Sequence, residues 1–176
     1  MKLQGFAIVL PVLLAQLFLV PAYAYDCVEV ELFQIDRTQI QSKKDKRAAH
    51  IPRDALEVLR KSIVLEVPLS VPGMVGMYAG EESCPDAARA IILGGTMSDY
   101  KKGNKVARYL VGMGAGAQKF AVQAWIKDKA TGQVLGSQEV VDRKVGGFVG
   151  GSAEKGVDDF SEKMTRFIRK TLGISR

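Results

Sequence analysis

Histidine is almost missing from this chain: His50 is the only one in 176 residues, and it is accompanied by two cysteines and one tryptophan. That scarcity excludes most familiar catalysts. A Ser-His-Asp or Cys-His site would have to use His50, which sits in a polar segment with no nucleophile-elbow sequence nearby. Two cysteines and one histidine are too few ligands for a zinc centre, so neither a metal nor a cofactor is expected. The run GMGAGAQ from Gly112 is followed by no Gly-Lys-Ser/Thr and leads into a β-like segment instead of a helix. It is therefore neither a phosphate loop nor a dinucleotide fingerprint. Adjacent Glu81 and Glu82 read as solvated loop charges, and Asp158 with Glu162 reads as acid at a helix start. A hydrolase built on carboxylates alone is the least favoured reading.

Charge is scarce at the amino end. Lys2 is the only charged residue in Met1–Ala24, an apolar run spans Phe6 to Val20, Pro21 breaks it, and Ala22-Tyr23-Ala24 fits a small-x-small cleavage site. Residues 1–24 are read as a secretory signal peptide, with a retained membrane anchor as the alternative. Cys27 follows Tyr25 and Asp26, so no lipobox is present. Removing the segment takes away Lys2 and no acid, which lowers the formal charge from +6 to +5. Residues 25–176 then have the length of a single domain. A moderate basic excess on an exported chain does not suggest nucleic acid; it fits attraction to anionic lipid or cell-wall polymer, and equally a basic protein with no such partner.

An even cysteine count in an oxidising compartment predicts a bridge between Cys27 and Cys84. Cys27 precedes the run Val28–Ile35, and Cys84 precedes the run Ala87–Met97. If these become parallel neighbours joined through a helix, both cysteines lie at the same end of one sheet.

Between the cysteines, SKKDKR (Ser42–Arg47) reads as a charged connector. Pro52 suits the first turn of a helix in which Leu56, Leu59 and Ile63 share a face and Glu57 pairs with Lys61. Ile63–Val71 fits helix or strand, and Pro68 is expected to interrupt any helix before it. Pro72–Gly80 reads as a loop with unusual apolar content, Met74, Val75, Met77 and Tyr78. Ala90–Met97 reads as a buried strand and Asp99–Asn104 as a turn. From Phe120 the chain alternates: Phe120, Val122, Ala124 and Ile126 point one way, Gln123, Trp125 and Lys127 the other. Asp128–Gln133 reverses it and Val134–Val145 returns, which predicts a hairpin. Val157, Phe160, Met164, Phe167, Ile168 and Leu172 form the apolar stripe of a last helix, with Gly173 as its stop.

The pattern Gly103-Asn104, Arg108, Gly112-Met113-Gly114-Ala115-Gly116, Asp128, Thr131-Gly132 and Leu135 resembles a bacterial domain-of-unknown-function family, the one numbered 4410. Many of its members look like small exported lipoproteins. The resemblance implies an envelope protein with an α/β fold and implies no activity. The missing lipobox departs from those members.

The order strand, helix, strand, hairpin, helix predicts an α/β (α+β) fold, a mixed sheet with two helices packed on one face. Two features are candidates for binding. The basic turn Lys101, Lys102, Asn104, Lys105 and Arg108 could hold an anion. The apolar loops around Met74, Met77 and Tyr78 and around Phe148 and Val149 could dock a protein or lipid. The expected function is a non-catalytic, periplasmic interaction module that docks on an envelope protein or a cell-wall or membrane component. The alternative is a binder of a small or polymeric anion.

Overall fold

The computed structural model describes residues 25–38, 40–101, 118–144 and 153–175. Five strands form one mixed sheet: β1 (Cys27–Val30), β2 (Val75–Tyr78), β3 (Ala90–Lys101), β4 (Gln118–Asp128) and β5 (Val134–Lys144), in the order β2-β1-β3-β4-β5. Three α-helices accompany it among the described residues: α1 (Lys43–Ala48), α2 (Arg53–Ser70) and α3 (Ala153–Thr171). β1 runs parallel to both β2 and β3, whereas β3, β4 and β5 are successively antiparallel.

Register assigns the two faces. Val28 lies beside Ile91 and Val30 beside Leu93, and Leu93 faces Ile126. These residues share a buried cluster with Leu59, Ile63 and Val67 of α2 and Phe160, Met164 and Ile168 of α3. The 3.6-residue stripes of both helices meet the period-two stripe of the sheet, so one face carries the main core. The other face holds Trp125, Lys127 and Gln123, as their alternation with Val122, Ala124 and Ile126 requires.

Several sequence expectations are corrected. The charged connector forms α1, because Ser42 and Asp45 make a capping box: Oγ of Ser42 accepts from N–H of Asp45 (3.2 Å), and the Asp45 carboxylate accepts from N–H of Ser42 (2.7 Å). Pro68 does not interrupt α2, which runs through it to Ser70. It lies in the last turn, where only one helical hydrogen bond is lost and tertiary packing holds the chain helical. The apolar loop contains a strand, β2, on the far side of β1. The strand β3 continues through Asp99–Lys101, read as turn, with a register shift between Met97 and Asp99.

β2 and β3 flank β1, so residues 79–89 must cross it. The crossing passes over the face opposite the helices. There Cys84 is bonded to Cys27, and the Cys84 N–H donates to the Glu29 carboxylate at 2.7 Å. Cys27, Cys84 and Ala90 form a second small buried cluster, with Met77 packed against it. The bridge expected from the cysteine count is therefore present, and β1 and β3 are the parallel neighbours it required. It suits an exported protein.

Candidate functional site

The predicted binding turn begins where β3 ends. Lys101 is exposed on its last residue; Lys102, Asn104, Lys105 and Arg108 lie outside the described residues. Lys101 lines a cleft of about 490 Å³ with Lys46, Arg47, His50, Pro52 and Tyr100. Elements distant in sequence make this cleft: the end of α1, the turn into α2 and the end of β3.

Beside the cleft, Asp99 is buried. Its two oxygens accept from Nε and Nη2 of Arg47, each at 2.8 Å, and one also accepts from Nζ of Lys119 at 2.7 Å. Burial pushes the Asp99 carboxyl up. The hydrogen bonds and charges of Arg47 and Lys119 outweigh that and hold it below the usual carboxylate range. Arg47 is thus committed to the fold, and its own pKa is raised mainly by that hydrogen bond. Asp99 is thus tied to Arg47 and Lys119, and Asp128 is tied to Tyr25 and Thr131.

The predicted docking residues are placed differently. Met74 is fully buried in the core. Met77 packs on the disulfide. Tyr78 packs against the main core with the Arg60 guanidinium 5.1 Å from its ring centroid. Phe148 and Val149 lie outside the described residues. Sequence reasoning missed a different apolar surface. Val58, Leu65 and Leu69 of α2 are 51%, 58% and 80% exposed. Spacings of seven and four residues put them on one line along the outer face of the helix. Their repeat was legible, but the helix had been expected to stop before Pro68.

Among the described residues, no three His, Cys, Asp or Glu side chains are grouped to hold a metal ion, and no helix is long and apolar enough to cross a membrane.

The family model of a domain of unknown function, DUF4410, matches residues 24–150. The chain belongs to the DUF4410 family. No curated protein matches this DUF4410 chain. Its fold is similar to that of two PelC dodecamers from Paraburkholderia phytofirmans, one of them a single-substitution variant. The TM-scores are 0.51 for one PelC structure and 0.50 for the variant, each at 13% identity. The alignments cover 88% and 85% of this chain and 91% and 90% of the respective PelC chains. At that identity the likeness establishes shared fold.

Proposed function

We propose that this DUF4410 protein is an exported, non-catalytic interaction module of the cell envelope that docks on an envelope protein through the outer face of α2. The observation that carries this reading is the line Val58, Leu65 and Leu69, three large apolar side chains more than half exposed on one helix face. Isolated exposed apolar residues are ordinary, but an aligned set on a single helix is what a partner's surface would cover. The disulfide supports an extracytoplasmic setting, and periplasm is the compartment proposed.

The test is crosslinking of the tagged protein in its own cells, comparing wild type with the Leu65→Ser/Leu69→Ser pair. Both side chains are exposed, so the fold should be retained, as checked by circular dichroism. Recovery of one envelope protein by wild type and its loss in the variant is the expected result; equal recovery by both would overturn the reading.

A second reading is self-assembly. It is favoured because the PelC structures of this fold are dodecamers. In that case the same pair of substitutions should convert an oligomer to a monomer in analytical ultracentrifugation.

A further inference from the structure

We propose that the cleft between α1, the start of α2 and the end of β3 binds a sugar-sized anion, a pyranose carrying a carboxylate or a phosphate. Its volume of about 490 Å³ accommodates one such ring. The lining combines two chemistries. Pro52 and the Tyr100 ring provide an apolar surface for the C–H face of a sugar, and Tyr100 is braced by Phe120, ring centroids 5.9 Å apart. Lys46 and Lys101 provide positive charge, and neither ammonium has a hydrogen-bond or ion-pair partner among the described residues.

The neighbouring groups leave that charge available. Asp99, the nearby buried acid, is already engaged by Arg47 and Lys119, so it is not a competing partner for the two lysines. Burial, and after it the negative charge of Asp54, raise the Tyr100 phenol above its usual pKa. Nδ1 of His50 lies 2.5 Å from the Lys46 carbonyl. That contact requires the proton on Nδ1, which donates to the carbonyl. Nε2 is then left to bond a hydroxyl, as acceptor when the ring is neutral and as donor when it is protonated. Ammonium groups for the anionic substituent, a ring nitrogen for a hydroxyl and an aromatic wall for the ring make up a saccharide site, and a simple phosphate would use only the first.

This inference is independent of docking through α2, and the Leu65→Ser/Leu69→Ser variant should retain it. The full chain is titrated calorimetrically with glucuronate, glucose 6-phosphate, glucose and inorganic phosphate. Binding of either charged sugar supports the proposal, and which of the two binds tells a uronate from a sugar phosphate as the natural chemistry. The Lys46→Gln/Lys101→Gln variant should bind that sugar about tenfold more weakly, because two partly screened ion pairs are lost together. His50→Ala should weaken the sugar further than it weakens phosphate. Both variants alter exposed side chains, and melting curves verify the fold. Absence of binding by both charged sugars, unchanged affinity in the double-lysine variant, or phosphate binding as tightly as glucose 6-phosphate would each overturn the proposal.

Discussion

Gly76 of β2 lies directly against the backbone carbonyl of Val64 in α2. A Cβ on Gly76 would sit 2.6 Å from that oxygen and 3.0 Å from the Val64 Cα. Pro68 has no N–H with which to satisfy the same carbonyl four residues earlier. The proline in the last turn and the glycine on the strand therefore meet at one atom. The carbonyl that Pro68 leaves without its i+4 helical partner lies where Gly76 lets the edge strand come close to the helix.

That closeness makes Gly76→Ala a test of the packing. The added methyl would push against backbone, which has little freedom to move, so destabilisation of about 1–3 kcal/mol is expected from overpacking. Chemical denaturation of wild type and variant should show the midpoint falling with an unchanged slope. An unchanged midpoint would mean that β2 does not sit under α2 in this register.

The buried carboxylate at Asp99 predicts how stability responds to acid. The native pKa of Asp99 is depressed, as are those of Asp128, through hydrogen bonds from Thr131 and Tyr25, and Asp45, through those from Ser42. A depressed native value means stability is present above the unfolded carboxylate pKa, about 3.9, and is lost as pH falls through the native values. Glu31 acts oppositely: burial raises its pKa, partly offset by Lys127, so its contribution diminishes as pH rises through the native value. Denaturation midpoints should therefore drop steeply below about pH 4. In Asp99→Asn the drop should be shallower. The variant should also lose about 2 kcal/mol at neutral pH, since Arg47 and Lys119 lose a charged acceptor but remain partly hydrated.

The bridge between Cys27 and Cys84 closes a loop spanning a sequence separation of 57. Replacing both with Ser should cost about 4 kcal/mol in the chain-entropy account. The check is a lower melting temperature that reductant no longer changes. Wild type should melt at that lower temperature only when reduced, and a wild-type melting temperature insensitive to reductant would count against the bridge.

Trp125 is the only tryptophan and lies over Gly94 on the face opposite the helices, with Lys127 Nζ 4.0 Å from its ring centroid. A Cβ at Gly94 would come within 2.3 Å of the ring, so Gly94→Ala should displace the indole. The expected signal is a change in the emission maximum of native protein, while emission of the unfolded chain stays the same. Identical native spectra would show that the ring does not rest on Gly94.

Helix α3 and the β4–β5 hairpin were legible in the residues themselves. Phe160, Met164, Phe167 and Ile168 repeat at helical spacing and are buried, and Gly173 has the positive φ of 67° expected at a helix stop. Phe120, Val122, Ala124 and Ile126 are buried at alternate positions, and Gly132 turns the chain with φ 72°. These are local properties, because a periodic stripe and a turn glycine are set by near neighbours in the chain. Cysteine count and compartment chemistry were enough for the bridge.

Tertiary structure decided what depends on distant partners. Four residues of β2 carry too short a pattern to be recognised, and they are a strand because β1 offers an edge. Pro68 is tolerated because α2 is held by the core beneath it, and the helix consequently reaches Leu69. Asp99 looks like a turn residue until Arg47, 52 positions earlier, and Lys119 reach it. The cleft likewise exists only once α1 is set beside β3, since Lys46, His50 and Lys101 have no local pattern in common. Local spacing writes periodicity into a sequence, whereas the meeting of charges, edges and grooves from separate elements is created by packing.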